Sequence, residues 1–487
     1  MNNHASTIHT LTYEEQAMLL DEKSPSDIES GAGIADLTHR FTASPPRRIR
    51  TLLVRTCFFL LPSFIQSRIR SSSSDTITTK KPSPTTYLDG IRGLAALFVF
   101  ICHLTYTCFV IAPGYGYKTT NFHILKLPLI RLFYSGPPMV AVFFVVSGFA
   151  LSLRPLRLAR SGQHADLAET MASFIFRRPL RLFLPPAIST FIIACLLRLG
   201  AYEWNREFAY DDVYMRNVQE IHYQRFNTTS DQMADWAWTM WRFVHVWDWD
   251  VFGGSTGMDV HLWTIPVEFR CSMGLFLALV GTSGCKTVVR TLVVAGMGVF
   301  CFLSERWEMM LFLAGMGLAE MELAWKTDKK GGVWYGVGVV GLYLMSQPDV
   351  GSEETPGWVW LCRMIPEWWS DKHRFWQSFG AIVFVLAVAR SAGWQRVFNL
   401  GVVQYFGRIS YAIYLMHGPV MHTVGYSIEK GMWKLTGVEG MAYNYGFVVA
   451  SLFVVPVVIW ASDVFWRAVD APVVQFAKWV ETKCSAN

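Results

Sequence analysis

Charge is scarce in this chain. Only 16% of its 487 residues are Asp, Glu, Lys or Arg, where soluble domains carry about a quarter, and the shortfall argues against an ordinary water-soluble globule. The formal net charge of +6 is small. Its basic residues fall in short clusters between apolar segments, so no basic stripe for nucleic acid is present. Also missing are a C-x-x-C pair and any zinc-type spacing of Cys and His, and no metal site is expected. Among the nine cysteines, Cys57, Cys102, Cys108, Cys195, Cys271 and Cys301 lie in apolar runs, where a thiol behaves as a small buried hydrophobe, and Cys362 stands alone in its loop. A disulfide framework is therefore not expected. The first forty-five residues are polar with no apolar core stretch. They lack a secretory signal and read as a disordered tail that stays in the cytoplasm.

What is present is apolar bulk. Hydrophobic residues make up 52% of the chain, and its 20 tryptophans suit membrane interfaces. The fold class this implies is all-α: a multi-pass integral membrane protein with about ten transmembrane helices. Residues 46–70 hold an arginine-flanked apolar stretch broken by Pro62, too short to span comfortably and expected to form an interfacial helix near 50–66. The run "SSSSDTITTKKPSPTT" reads as a linker closing an N-terminal region at residue 86. The membrane domain is expected over 87–480, followed by a short cytoplasmic tail over 481–487. Candidate spans begin near Leu88, Pro138, Pro179, Leu262, Thr287, Glu308, Gly332, Phe375, Gly401 and Phe447.

Loop charges orient these spans. Arg47, Arg48, Arg50, Arg55, Arg68, Arg70, Lys80 and Lys81 precede the first, and Arg154, Arg157, Arg160, Arg177, Arg178 and Arg181 fall between the second and third. Lys286 with Arg290, then Lys326, Lys329 and Lys330, then Arg390 with Arg396 continue the alternation. The positive-inside bias makes these loops and the N-terminus cytoplasmic. The long stretch near 200–260 is acidic or mixed and carries the sequon Asn227-Thr228-Thr229, as a non-cytoplasmic loop would.

Several polar residues sit where lipid-facing helices carry none. Arg92 and His103 in "LDGIRGLAALFVFICHLTYTC" are eleven residues apart, three turns plus about 20°, and share a helix face. Ionisable groups in a span mark functional sites, although snorkelling for Arg92 and a structural hydrogen bond for His103 compete with that reading. Counting about 1.5 Å per residue from opposite sides puts Glu268 at a depth similar to His103, with His417 near the same level. A histidine there suits proton abstraction from a hydroxyl, with a carboxylate to orient it. Alternatively Glu268 forms an ion pair with Arg270 or another helix. Asp259 and His261 are weaker candidates, placed at the entrance. Arg92, Arg154, Arg177, Arg178 and Arg181 form a cationic set suited to phosphates, or to lipid headgroups for their neighbours Arg157 and Arg160. Ser147 and Gly148 more often permit close helix approach than supply a nucleophile. An intramembrane Arg, His and Glu set also fits a transporter or proton-coupled channel.

The segments "YLDGIRGLAALFVFICHL", "VAVFFVVSGFALSLRP", "FIFRRPLRLFLPP", "HLWTIPVEFR" and "YFGRISYAIYLMHGP" resemble, in order, the successive motifs of the acyltransferase 3 family of integral membrane acyltransferases. The closing "FWRAVDAPVVQFAKW" resembles the family's last helix, with Asp470 and Pro472 at its ending. The resemblance implies a bundle of roughly ten helices that moves an acyl group, commonly acetyl from acetyl-CoA, to hydroxyls of sugars, lipids or small metabolites. It implies an essential role for His103, an important one for Arg92, and donor handling by Arg177, Arg178 and Arg181. Glu268 matches the family's acid, with Trp263 at the matching aromatic position and Pro266 as a departure. Ser147, Trp263, Tyr414 and His417 are expected to support the site. The resemblance is to stand-alone fungal-type members, with acyl-CoA as co-substrate, no tightly bound cofactor, a hydroxyl-bearing acceptor and the bilayer as partners.

Overall fold

A computed structural model describes residues 45–71, 83–247, 255–324 and 331–485. Two compact units are present, Met1–Thr86 and Tyr87–Asn487. In the first, helices Pro45–Leu60 and Ser63–Ser71 are separated at Pro62, as expected where proline removes a donor and disfavours helical backbone before it. Leu52, Val54, Phe59, Phe64 and Ile69 on these helices are exposed. The expected tail, most of the linker with Lys80 and Lys81, and the basic residues Lys326, Lys329 and Lys330 lie outside the described residues.

The second unit is helical, and no strand forms among the described residues. Its principal helices are α1 (Thr86–Tyr106), α2 (Pro137–Arg160), α3 (His164–Arg198), α4 (Thr264–Gly281), α5 (Thr287–Leu303), α6 (Trp307–Ala324), α7 (Val333–Met345), α8 (Lys372–Arg390), α9 (Gly401–Val420) and α10 (Met441–Phe465). All ten apolar stretches are thus helical. By length and apolarity, α1, α2, α3 and the segments containing α4 and α10 can each cross a bilayer, and α8 does so only with Ala392–Phe398, from which it bends by 101°. The chain is a multi-pass membrane protein, with five or six spans by this measure. The remaining helices are shorter, like α5 and α7, or carry polar groups inward, like Glu308 and Glu320 on α6 and His417 on α9.

Hydropathy misjudges α3. Its expected start near Pro179 is instead at His164, and the arginines assigned to a loop lie within helices, with only Ser161–Gln163 joining α2 to α3. Arginine is a good helix former, so the helix runs past its apolar portion. Several orientation charges also have structural duties. Glu320 pairs with Arg160 at 2.8 Å and Arg290 at 3.0 Å, and Arg390 lies 3.7 Å from Glu322.

Two glycine crossings set the bundle's spacing. A Cβ on Gly93 of α1 would lie 2.6 Å from the Phe406 carbonyl carbon of α9, and one on Gly315 of α6 would lie 2.6 Å from the Phe149 amide of α2. Only hydrogen fits between these backbones. The first crossing holds α1 on α9 around Phe100, Leu104, Ile409 and Ile413. The polar ends of both helices are thereby brought side by side.

Candidate active site

His103 lies in the last turn of α1, His417 near the end of α9, and His261 in the short 3-10 turn Val260–Trp263 ahead of α4. Their rings meet: the His103 centroid is 3.9 Å from His261 and 5.2 Å from His417, and His261 is 4.9 Å from His417. One nitrogen of each ring lies within 4.8 Å of those of the other two. His261 and His417 are buried. The shared depth of His103 and His417 inferred from the sequence matches this contact.

Local structure orients each ring. Asp259 caps the 3-10 turn, and its Oδ1 accepts from the His261 backbone amide and lies 3.0 Å from His261 Nδ1. Ile413 O lies 3.0 Å from His417 Nδ1, one turn back on α9. Both acceptors lack hydrogens, so each ring carries its proton on Nδ1 and presents Nε2 as a lone pair when neutral. The Nε2 atoms of His261 and His417 and Nδ1 of His103 are buried without a hydrogen bond. Glu220 Oε1 lies 3.3 Å from His261 Nε2, an ion-pair contact when the ring is protonated. Gly418 gives Asp259 room, since a Cβ there would lie 3.1 Å from Oδ2.

Glu220 arrives from the long 200–260 stretch. The Asn217 and Val218 amides donate to Thr107 O, just past α1, at 3.0 and 3.3 Å, and Asn217 Nδ2 donates to Tyr106 O at 2.6 Å. This tie sets Glu220 against His422 Nε2 at 2.8 Å, with Tyr426 donating at 3.3 Å and Tyr106 also donating. Burial pushes the Glu220 carboxyl up, but its contacts with His261 and His422 prevail and hold it well below the usual range. Burial lowers neighbouring His222 to about 4. His422 sits in the π turn Met421–Gly425 after Pro419. Five α-helical steps would place it 140° from His417, and the wider i→i+5 turn brings it back toward that face.

Glu268 goes elsewhere. Its Oε1 accepts from Arg178 of α3 at 2.8 Å and from Ser147 of α2 at 3.3 Å. The carboxylates against the histidines are Glu220 and Asp259, so the expected meeting of Glu268 with His103 is replaced by an Arg178–Glu268 pair. The level of His103 is met by the 3-10 turn before α4, and Glu268 lies seven residues further on, roughly 10 Å deeper. Pro266 occupies the first turn of α4, where its missing amide hydrogen needs no replacement, and introduces no kink. Trp263 flanks this turn with the Arg374 guanidinium 5.6 Å from its ring. The Tyr414 hydroxyl bonds Thr264 Oγ1 at 2.6 Å and donates to His261 O, so both residues brace the histidine turn.

The cationic set is divided. Arg92 is half-buried on α1 with its Nε unpartnered, and Arg154 is half-buried on α2. Arg177 pairs with Glu481 at 3.1 Å, Arg178 pairs with Glu268, and Arg181 follows on α3. Ser147 is a hydrogen-bond donor to Glu268, and Gly148 makes the close approach to α6 expected of the pair.

A cavity of about 300 Å³ opens beside the histidines, lined among others by Tyr106, Glu220, His222, Asp259, His261 and His422. The arrangement can accept a proton on a histidine and balance the resulting charge with two carboxylates. Sequence reading ranked Asp259 and His261 low and missed Glu220 and His422. The Asp-x-His spacing was the available signal for the first pair, whereas nothing in a polar loop distinguished Glu220.

A family model described as an acyltransferase domain matches residues 85–467. The O-acetyltransferase PaAT-1 of Phomopsis amygdali is 31% identical over 477 residues, covering 90% of this chain and 90% of that protein. Acyltransferase clz18 of Cochliobolus lunatus is 25% identical, over 82% of this chain and 95% of its own. Acyltransferase R4 of a Phoma species is 26% identical, over 81% and 95%. No solved structure matches the chain significantly. The family match extends from the start of α1 through α10, across the elements that assemble the histidines and carboxylates, and decides between enzyme and transporter: the chain belongs to the acyltransferase 3 family and is a membrane O-acyltransferase.

Proposed function

We propose that the protein transfers an acetyl group from acetyl-CoA to a hydroxyl of a sugar, lipid or small metabolite bound in the cavity beside the histidines. The observation that carries this reading is His103, a histidine with a buried, unpartnered ring nitrogen, stacked on His417 and edge-on to His261, whose own orientations are held by Ile413 and Asp259. His103 takes the acceptor proton as the hydroxyl oxygen attacks the thioester carbon. The C–S bond breaks, and the departing CoA thiolate takes up a proton. Asp259 and His261 act as positioning residues, and Glu220 balances the charge gathered on the cluster. Arg92, Arg154, Arg177, Arg178 and Arg181 serve the phosphate-bearing donor from the cytoplasmic side, with Glu268 organising Arg178. The name of the relative PaAT-1, an O-acetyltransferase, favours acetyl over longer chains.

Purified protein in detergent, given acetyl-CoA and a metabolite extract, is expected to release CoA thiol together with a product heavier by one acetyl group. A folded preparation that releases no thiol with any acceptor class would exclude the donor assignment.

The proposed topology has a cytoplasmic N-terminus, the exposed apolar side chains of the helices over 45–71 in the cytoplasmic interface, and the 200–260 loop on the opposite face. Asn227 is exposed, immediately before the N-cap Thr228 of helix Thr229–Val244. Glycosylation-competent expression should add one glycan that Asn227→Gln removes. A reporter in that loop responding from the cytoplasm would reverse the assignment.

A further inference from the structure

We propose that the three-histidine cluster is also a binding site for a divalent transition-metal ion, Zn²⁺ fitting best, and that the bound ion shuts the enzyme off. Three features support it. His103, His261 and His417 each offer a nitrogen within 4.8 Å of the other two, although they come from three separate elements and show no metal-type sequence spacing. His261 and His417 are 6% and 0% exposed; the His417 Nε2 has no hydrogen-bond partner, and the His261 Nε2 faces the Glu220 carboxylate 3.3 Å away, where an ion would take the place of the proton. Both rings are also tethered as metal-binding histidines usually are. His261 Nδ1 is tied to the Asp259 carboxylate and His417 Nδ1 to the Ile413 carbonyl, each at 3.0 Å, which fixes the tautomer and aims Nε2 away from the tether.

The chemistry selects the ion. Three neutral imidazoles with an open fourth position suit Zn²⁺ and its first-row neighbours and disfavour Mg²⁺ or Ca²⁺. Tetrahedral Zn²⁺ with ligands at roughly 2.0–2.1 Å wants nitrogens about 3.4 Å apart. The trio must therefore close by up to about 1.4 Å from the 4.8 Å limit, by side-chain rotation of the three rings, the less buried His103 foremost. Glu220, 3.3 Å from His261 Nε2, stands beside the ion as charge compensation or as the fourth ligand.

Ion binding stands on this geometry alone, whereas inhibition rests on the proposed role of His103 as the base. A nitrogen bonded to zinc has no lone pair for the acceptor proton, and an ion at the trio occupies the wall beside the acceptor cavity.

The test uses the full chain in detergent, stripped with EDTA and titrated with ZnCl₂, or with CoCl₂ to follow the visible absorption of tetrahedral cobalt. One ion per chain is expected. Asp259→Asn should weaken binding about 10- to 100-fold, the usual effect of losing an outer-shell partner, and His261→Ala and His417→Asn, each assayed on monodisperse protein, should abolish the cobalt spectrum. Saturating Zn²⁺ should lower acetyl transfer at least tenfold, and EDTA should restore it. Stoichiometric binding that survives both histidine variants, absence of binding, or full activity with the site filled would each overturn the proposal. If stripped protein is active and binds no metal, only this inference fails. If stripped protein is inactive and Zn²⁺ restores transfer, the assignment of His103 as the base fails with it.

Discussion

His103→Ala should lower acyl transfer by about 10²- to 10⁴-fold, the usual contribution of a positioned general base, while leaving the protein folded in the membrane. The separation of effects follows from the surroundings of this ring. His103 Nδ1 makes no hydrogen bond, so removing it orphans no partner. The cluster's hydrogen bonds run through Asp259, Ile413, Tyr106, His422 and Tyr426 instead. The α1–α9 packing rests on Gly93 and on Phe100 and Leu104, which the substitution does not touch. Thiol release from acetyl-CoA measures the loss, and size-exclusion profile and thermal unfolding in detergent measure the fold. Turnover within tenfold of wild type would remove His103 from the proposed chemistry. Glu220→Gln, which keeps the size and loses the charge, should show a smaller loss with the same intact profile.

The second large effect is structural. Gly315→Ala should destabilise the bundle by about 3 kcal/mol or more, at or above the upper end of ordinary overpacking, because the obstacle is backbone. The added methyl would be driven into Val145 O and would lie 2.6 Å from the Phe149 amide and 2.9 Å from the Gly148 carbonyl carbon. Neither helix can yield by rotating a side chain. Gly317 is on the same helix with nothing within 4 Å of an added Cβ. Gly317→Ala should therefore be neutral or stabilising by about 0.5–1 kcal/mol through the conformational freedom removed. The contrast between neighbouring glycines separates close helix contact from helix propensity. Equal unfolding temperatures for the two variants would show that the α2–α6 contact does not limit stability.

The consequence of that crossing reaches the site. Gly148 sits beside Ser147, which donates to Glu268, and Glu268 in turn holds Arg178. Close approach of α2 and α6 therefore helps position an ion pair between α3 and α4. The small pair in the second span thus spaces two helices through Gly148 and gives Glu268 a donor through Ser147.

Much of this enzyme is legible in one dimension. Low charge, long apolar runs and basic clusters determine a helical membrane protein, because a bilayer requires each backbone to satisfy its own hydrogen bonds. The eleven-residue spacing of Arg92 and His103 determines that they share a helix face, and a rise of about 1.5 Å per residue suffices to put His417 near the level of His103. These are local properties, governed by periodicity and hydropathy. Which carboxylate stands beside which histidine is not local. Glu268 is on the helix that follows the histidine turn, but about two turns past the level of His103, where Arg178 claims it. Glu220, in a polar loop with no pattern of its own, enters the cluster because two backbone amides nearby bond to Thr107 O at the end of α1. Asp259 and His261 look like residues outside a span until the chain's return through a 3-10 turn carries them to the ends of α1 and α9. Partner choice is set by tertiary packing, since a buried carboxylate takes the nearest cation or donor that geometry permits, and only the assembled bundle decides which one that is.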